Sequence, residues 1–419
     1  MSDTITNEII TTLTSRDSQP VFLFDKEVFA NNINALKDAM NKRFGERFII
    51  GYSVKTNPHP EVVSAALENG CFVECVSKEE VLLSLKSHAT IDKVIWNGPL
   101  PCFTTKSNAL AHGAIVNIDN AEEFRWTTAL LAELENIKVN VGIRVSTECL
   151  GQESRFGIVP GSEEWEEVFA IAAENKSINI NGLHIHTGYS ESRKLDEFKR
   201  KVDIMCKLAR EHGVEYIDFG GHIFGPNDKR FQRYLEKRFN CKLPTFDDYA
   251  ECIYQSLKQE YGDEQFPVVI LEPGTALISN AVDCLAKVRN VKEKDGTRKV
   301  TVEVSRFDFG FIGSSGQIPF DVASLIPFDS IEEMLIGRKR FAWPTQRVRP
   351  GTYMKIISRF NMNTVVYGSS CCEDDILSEA VCDQIDVGDY LLFRNVGAYT
   401  YSFGNDFIKP KVEMICYGK

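Results

Sequence analysis

Four polar segments of this sequence carry side chains that could do chemistry, and each follows or ends a short apolar run. They are residues 52–57 (YSVKTN), 184–188 (HIHTG), 218–222 (DFGGH) and 272–274 (EPG). An amine, two imidazoles, a glycine pair and a carboxylate at the ends of parallel strands would meet at one edge of a sheet. Each segment also has an ordinary structural interpretation, so only their combination is informative.

Lys55 and the histidine pair have the clearest alternatives. Burial near an apolar strand would disfavour the ammonium of Lys55 and lower its pKa, and a neutral amine can react with an aldehyde. A lysine just past a strand can equally lie in a solvated loop. Alternation places His184 and His186 on one face, where one ring could lie flat on an aromatic ligand or both could be core histidines. A metal pair is a further alternative, but no third His, Cys or carboxylate sits at ligand spacing, so we expect no metal.

The remaining two segments complete a recognisable set. Gly220 and Gly221 could bring amide groups close to a phosphate, or could form a plain tight turn. Glu272 could hold a proton on a heterocyclic nitrogen, or could be a structural ion-pair partner. An amine for an aldehyde, a flat ring, an amide nest and a carboxylate are the requirements of pyridoxal 5′-phosphate (PLP). The combination therefore predicts a PLP site.

Eight short β-rich runs are the elements that must position these side chains. They are residues 48–54, 71–77, 93–99, 114–119, 138–146, 179–188, 216–222 and 268–274. Most are separated by segments with helical spacing, and the runs are continuously apolar, as in parallel strands buried on both faces. They predict a closed (β/α)8 barrel. An open doubly wound sheet is the alternative, weakened because Gly220-Gly221 lacks the spacing of a dinucleotide fingerprint.

The pattern changes after about residue 280, where short strands alternate with turn residues such as 294–296 (KDG). This texture is typical of an antiparallel β domain. We expect the barrel to span residues 26–280 and the β domain to span residues 281–419. The apolar strand at 21–25 precedes the barrel strands, and we assign it to the β domain.

Composition excludes several classes of protein. The 419 residues are 43 % hydrophobic and 26 % charged, with 48 basic and 59 acidic side chains and a net charge of −11. A chain of this sign is poorly suited to nucleic acid or anionic lipid, and no apolar run is long enough to span a bilayer. Twelve scattered cysteines without a CxxC motif or a signal peptide indicate reduced thiols. We expect a cytoplasmic protein.

The four segments resemble the motifs of the fold-type III PLP-dependent decarboxylases, the family of ornithine, diaminopimelate and arginine decarboxylases. The resemblance runs from about Phe22 to Lys409 and includes Y-x-x-K-x-N, H-x-G, the glycine-rich loop and E-P-G-R. It implies an alanine-racemase-like barrel, a covalent PLP link at Lys55 and stacking by His186. The further cofactor contacts that it implies are Ser190, Gly220, Gly221, His222, Glu272 and Gly274.

The β domain carries two more motifs of that family, C-x-x-x-D at residues 371–375 and G-A-Y at 397–399. The resemblance implies that Cys371 returns a proton to Cα, that Asp375 lines the substrate pocket and that Tyr399 reaches the phosphate. A register shifted by one would make Cys372 the thiol and Glu373 the acid that binds substrate, but only Cys371 keeps Asp375 at its usual spacing. In the family this segment enters the partner's site, which implies a homodimer with shared active sites.

Three departures weaken the phosphate contacts. His222 replaces the third glycine of the loop, Thr275 replaces the arginine of E-P-G-R, and Tyr189 replaces the serine after H-x-G, although Ser190 is adjacent. His222, Arg144 or Arg155 could compensate.

The resemblance implies α-decarboxylation of an L-amino acid, and Glu272 favours this over racemisation because racemases of the fold place an arginine near the ring nitrogen. The expected substrate is a diamino acid of the ornithine, lysine and diaminopimelate class. An N-substituted derivative such as a citryl-diamino acid of siderophore biosynthesis is possible, because Cys372 stands where an acid often reads the distal ammonium. The basic residues at 338–340, 347 and 349 could meet a carboxylated tail or form a solvated loop. The alternatives are a racemase, a non-catalytic PLP-binding regulator and a barrel that binds a sugar phosphate.

Overall fold

A computed structural model describes residues 19–100, 102–133, 138–188, 194–227, 229–313, 315, 318–323, 340–342, 362–382 and 384–418. The strands are β1 Val21–Asp25, β2 Phe48–Ser53, β3 Phe72–Cys75, β4 Val94–Asn97, β5 Ile115–Ile118, β6 Val139–Arg144, β7 Ile178–His184, β8 Tyr216–Asp218, β9 Val268–Leu271, β10 Val282–Lys294, β11 Thr297–Val302, β12 Phe320–Ala323, β13 Arg340–Ala342, β14 Met362–Tyr367, β15 Ile376–Cys382, β16 Tyr390–Phe393 and β17 Glu413–Tyr417. The α-helices are Lys26–Phe44, Pro60–Glu68, Lys78–Lys86, Phe103–Ala111, Ala121–Ala132, Glu163–Glu174, Leu195–His212, Lys229–Phe239, Phe246–Tyr261, Thr275–Ile278, Gly310–Gly313 and Thr400–Phe403. Single 3-10 turns lie at Val54–Thr56, Ile91–Lys93, Thr147–Leu150 and Ser279–Ala281.

Strands β2 to β9 form a closed parallel barrel in sequential order. Closure is made by β2 pairing with β9, for example Phe48 with Val269. Each of the eight predicted runs overlaps one of these strands, so the (β/α)8 prediction is confirmed and the open sheet is wrong. Because all eight strands are parallel, their carboxyl ends lie at one rim.

The barrel interior is filled by side chains rather than left open. Ile95, Tyr216 and Ile270 form a buried cluster there. The Tyr216 ring can enter because Gly142 and Gly182 lie on the two preceding strands, β6 and β7, where an added Cβ would come within 2.2 Å and 1.9 Å of Tyr216 atoms. The interior is therefore a packed support for the rim.

Helix starts are encoded by local capping residues. The side chains of Ser77, Asn120 and Ser162 accept hydrogen bonds from amides in the first turns of the helices that follow them. Thr245 forms a reciprocal capping box with Asp248. These caps satisfy amides that a helix leaves unpaired, and they fix where the loops before these four helices end.

The β domain is a sheet in the order β13-β12-β16-β10-β11-β14-β15, with β1 paired to β10 and to β17. Most pairs are antiparallel, as predicted, but β11 with β14 and β1 with β17 are parallel. Asp295 and Gly296 have φ values of 51° and 74° and make the tight turn predicted at KDG. Val21, Leu23, Leu285, Tyr390 and Leu392 form a core cluster of this sheet.

The chain divides into two compact units. One comprises Ala30–Leu277, and the other comprises the described residues up to Phe29 together with those from Ile278 onwards. Within the described part of the chain, each helix is too short or too polar to cross a bilayer. The basic side chains predicted at 338–340, 347 and 349 lie outside the described residues, apart from the backbone of Arg340 in β13.

Candidate active site

Lys55 lies in the 3-10 turn that directly follows β2, at the rim of the barrel. Its Nζ is 2.7 Å from Oε2 of Glu74 on β3. The Glu74 carboxylate is 1 % exposed, and the same oxygen accepts a 2.6 Å hydrogen bond from Ser53. About a third of the lysine side chain stays exposed, at 31 %. The sequence suggested an amine withdrawn from water. The structure instead shows an amine that is partly exposed and held by a buried carboxylate.

Glu272 follows β9 and is buried at 2 % exposure. Its Oε1 accepts a hydrogen bond from the amide of Asn97 at the end of β4. Asn117 donates to the Asn97 carbonyl at 2.7 Å, and Tyr216 donates to the Asn117 carbonyl at 2.8 Å. This series of hydrogen bonds crosses the barrel and orients Asn97 so that its NH2 group points to Glu272.

Gly274 explains how the end of β9 approaches the lysine turn. An added Cβ there would lie 1.9 Å from Oγ1 of Thr56. The carbonyl of Pro273 also accepts a hydrogen bond from the Ser53 amide at 3.4 Å. The E-P-G segment is therefore held against the turn that carries Lys55.

His184 and His186 both face Glu272, as alternation predicts. Their ring nitrogens lie 3.6 Å and 4.0 Å from its Oε2, with side-chain exposures of 1 % and 24 %. Burial, followed by the charges of Lys55 and His222, holds the pKa of His186 well below its usual value. A neutral ring at the mouth is suited to stacking on an aromatic ligand.

Asp218, at the end of β8, is a close neighbour that spacing along the sequence did not reveal. Its carboxylate, that of Glu272 and the imidazole of His184 have ligand atoms within 4.8 Å of one another, and all three residues are buried. No third ligand group sits at ligand spacing in the sequence, but the fold brings two carboxylates close to His184, because the groups come from three different strands. The absence of a metal stays a prediction.

The two carboxylates cannot both be ionised at low energetic cost. Burial, followed by the charge of Glu272, raises the pKa of Asp218 well above its usual value. Burial opposes ionisation of Glu272 too, but the influence of His184, Asp218 and Lys55 prevails and lowers its pKa. The two pKa values are therefore shifted in opposite directions, as expected for neighbouring buried carboxyl groups.

The amides of the glycine loop have acceptors inside the barrel. The Gly220 amide donates to Oδ1 of Asp218 at 2.9 Å, and the Gly221 amide donates to Nδ1 of His186 at 3.4 Å. Phosphate binding by this loop stays a prediction. A Cβ at Gly220 would lie 2.8 Å from His186 Nδ1, so glycine is needed here for close packing.

His222 adopts the left-handed backbone region, with φ of 61°, where the family's third glycine would stand. Its Nδ1 donates to the Thr187 carbonyl at 2.6 Å, and its ring centroid is 4.7 Å from that of His186. Of the other two candidates, Arg144 pairs with Asp119 at 3.2 Å. Arg155 stacks over Phe156 at 4.1 Å. Ser190 lies outside the described residues.

The predicted residues of the C-x-x-x-D motif lie in one loop between β14 and β15. Asp375 is 1 % exposed, and its oxygens accept the amides of Arg306 at 2.8 Å and Ser370 at 2.9 Å. The carboxylate thus fixes the loop, and a substrate contact for Asp375 stays a prediction. Cys371 and Glu373 are exposed and Cys372 is half-buried. The loop therefore presents a thiol and an acid at its surface.

Tyr399 has φ of 61° and immediately precedes the short helix Thr400–Phe403. A left-handed conformation is strained for a bulky residue and is retained mainly at functional positions or where packing demands it. Its ring is half-buried and lies 5.9 Å from that of Phe403. A phosphate contact for Tyr399 stays a prediction.

The barrel residues suit PLP on their own chemistry. The rim offers a primary amine, a neutral imidazole and an ionised carboxylate that is already oriented by Asn97. Buried nitrogen atoms of His184 and Oδ2 of Asp218 find no hydrogen-bond partner among the described residues. Buried polar atoms that still lack a hydrogen-bond partner, close to a primary amine, are compatible with the binding of a charged heterocycle.

Similar proteins share this architecture. The chain is 22 % identical over 416 residues to diaminopimelate decarboxylase of Methanocaldococcus jannaschii, covering 94 % of this chain and 85 % of that protein. It is 24 % identical over 375 residues to ornithine decarboxylase of Schizosaccharomyces pombe, covering 87 % and 77 %. The solved lysine/ornithine decarboxylase of Vibrio vulnificus in complex with putrescine superposes with a TM-score of 0.71 at 21 % identity, covering 98 % of both chains. At this identity the structural likeness supports the fold.

The decisive comparison is with a whole family. The family model described as "Pyridoxal-dependent decarboxylase, pyridoxal binding domain" matches residues 30–279, which is more than half of the chain and includes Lys55, His186 and Glu272. This chain belongs to the PLP-dependent decarboxylases, a family of carboxy-lyases.

Proposed function

We propose that this chain removes the α-carboxylate of an L-diamino acid of the ornithine, lysine and diaminopimelate class. The observation that carries the proposal is the rim of the barrel, where Lys55, paired with Glu74, lies beside His186 and an ionised Glu272. The relatives named for diaminopimelate and ornithine support the substrate class. The test is to supply PLP and candidate amino acids and to measure CO2 and the amine product. Racemisation of the substrate without CO2 would indicate the racemase alternative.

Lys55 and Glu74 act together in cofactor attachment. The amine of Lys55 must lose a proton before it can attack an aldehyde. The Glu74 oxygen at 2.7 Å from Nζ is placed to receive that proton, and Ser53 keeps this oxygen in position. Glu74 is therefore part of the proposed machinery, although an acidic residue within the run FVEC was the only sign of it in the sequence.

Glu272 and His186 would hold the cofactor ring. When bound, PLP supplies the electron sink for the pair that CO2 leaves behind. The ionised Glu272 would accept a hydrogen bond from the ring nitrogen and would favour the protonated form of that nitrogen. His186 is neutral, so its ring offers a flat face for stacking and does not form an ion pair with the Glu272 carboxylate.

Two substrate classes fit this proposal, and they differ in the distal amino group, which is either free or substituted. Cys372 stands where an acid often binds the distal ammonium, so an N-substituted diamino acid, such as a citryl conjugate of siderophore biosynthesis, competes with the free diamino acids. Initial rates on ornithine, lysine, diaminopimelate, arginine and citryl-diamino acids distinguish the two. A preference for a free diamino acid of about tenfold or more in kcat/KM would exclude the conjugate.

Replacing each adjacent thiol identifies the proton donor. We expect Cys371→Ser to lower decarboxylation by about 10²-fold, because a hydroxyl is a far weaker acid than a thiol, whereas Cys372→Ser costs about threefold or less. The exposed position of Cys371 in a loop anchored by Asp375 supports this assignment. The reverse order of effects would assign the role to Cys372 and the substrate contact to Glu373.

A homodimer with shared sites is proposed on the family resemblance. Mixing the Lys55→Ala and Cys371→Ala variants, each inactive, would then create hybrid dimers with one intact site. Equal amounts are expected to recover about a quarter of the wild-type activity. No recovery after verified subunit exchange would contradict sharing, and light scattering gives the oligomeric state independently.

His222 is the proposed substitute for the lost phosphate contacts. It stands in the loop at the position of the third glycine, and Arg144 is already engaged by Asp119. His222→Gly should weaken PLP binding by about tenfold while hardly changing the binding of pyridoxal, which lacks the phosphate. Equal losses for both ligands would show that the imidazole only supports the loop.

A further inference from the structure

A buried cluster beneath the rim is not used by the proposed steps. It consists of the Glu272 carboxylate, the Asp218 carboxylate and the His184 imidazole, with exposures of 2 %, 0 % and 1 %. Oδ1 of Asp218 accepts the Gly220 amide at 2.9 Å. Oδ2 of Asp218 and both nitrogens of His184 find no hydrogen-bond partner among the described residues. Native structures seldom leave several such atoms together unless they serve one another.

The direction of the neighbouring hydrogen bonds tells which carboxylate is ionised. Tyr216 donates to Asn117 and Asn117 donates to Asn97, so Asn97 presents its NH2 group to Oε1 of Glu272. A side-chain amide donor of fixed direction favours an acceptor that carries charge. Asp218 accepts a single backbone amide, from Gly220, and is fully buried next to the Glu272 carboxylate, which favours its neutral form.

We propose that Asp218 is a protonated carboxylic acid that donates a hydrogen bond to Glu272. Together the two carboxyl groups then carry one negative charge, which lies on Glu272 and would be matched by one proton on the ring nitrogen of the cofactor. Asp218 and His184 are positioning residues in this scheme, and it rests on the proposed function.

The surroundings agree with this count of charges. The other titratable groups that face the cluster are Lys55 and Glu74 at the rim, His186 after β7 and Tyr216 on β8. Lys55 and Glu74 form an ion pair at 2.7 Å and so largely cancel each other. His186 is neutral, because its pKa is held well below its usual value, and the pKa of Tyr216 is raised well above its usual value by burial. No further cation is therefore present among these groups to balance a second carboxylate.

Infrared spectroscopy of the apoprotein tests the protonation state directly. The wild type should show the C=O stretch of a buried carboxylic acid near neutral pH, and isotope labelling of aspartate should shift it. The band should vanish in Asp218→Asn and persist in the control Asp119→Asn, since Asp119 is a buried carboxylate at the same rim that is paired with Arg144 at 3.2 Å. Absence of the band in the wild type, or its persistence in Asp218→Asn, would overturn the proposal.

PLP binding provides a second test, because its affinity and its pH dependence would respond differently to the two variants only if Asp218 acts as a hydrogen-bond donor. Asp218→Asn keeps a neutral donor, so PLP affinity should stay within about threefold of the wild type. Asp218→Leu removes the donor and should shift the pH midpoint of the visible PLP absorbance by about one unit or more. Equal damage by both substitutions would overturn the proposal, as would a stoichiometric divalent metal bound by the cluster. If PLP fails to attach at Lys55, the proposed function fails, but the infrared result on the apoprotein still decides the state of Asp218.

Discussion

Replacing Lys55 by alanine is expected to abolish the visible absorbance of the protein in PLP and to lower decarboxylation by at least about 10³-fold. The reason is that a buried carboxylate holds the Lys55 amine at the rim while 31 % of the lysine side chain stays exposed. Lys106, which also pairs with a buried carboxylate, has its Nζ bonded to Gly98 and Glu123 and is 1 % exposed. The measurement is borohydride reduction followed by peptide mass mapping, together with the rate of CO2 release.

The control for this variant is Lys258→Ala, on the exposed side of the helix Phe246–Tyr261, which should retain both the absorbance and the activity. Lys55→Arg keeps a cation next to Glu74 but cannot form the link, and it should behave like the alanine variant. An adduct on another side chain would end the proposed mechanism.

Replacing Glu272 by glutamine should leave PLP attached but slow decarboxylation by about 10²- to 10³-fold. The substitution keeps the volume and one acceptor next to Asn97, but it removes the charge that holds a proton on the ring nitrogen. The loss should appear in kcat more than in KM, because the charge matters most when electrons move towards the ring.

The matched control is Glu215→Gln, a carboxylate at the amino end of β8 and so at the opposite end of the barrel, where it accepts from Asn181 at 3.2 Å. This variant should have wild-type rates. If Glu272→Gln lost PLP altogether, the carboxylate would be needed for binding, and its assignment as the tuner of the ring nitrogen would be wrong.

The sequence allowed the fold and the principal side chains to be predicted for a physical reason. A parallel barrel strand is apolar along its whole length, so a lysine, a histidine or a glutamate at its carboxyl end stands out. Lys55, His186 and Glu272 were found in this way, and the structure places them at one rim. The tight turn at residues 295 and 296 was equally visible, because its residues favour positive φ.

Partners across the barrel were not visible in the sequence. Glu74, Asn97, Asn117 and Asp218 come from different strands, and their meeting depends on register and on which face each strand turns inwards. Backbone direction was equally hidden, since the amides of Gly220 and Gly221 turn towards Asp218 and His186. Periodicity therefore determined which residues reach the rim, because it depends only on neighbours along the chain. The tertiary structure alone decided which of them hydrogen-bond and which carboxylate keeps its charge, because those depend on distances of a few ångströms between strands far apart in sequence.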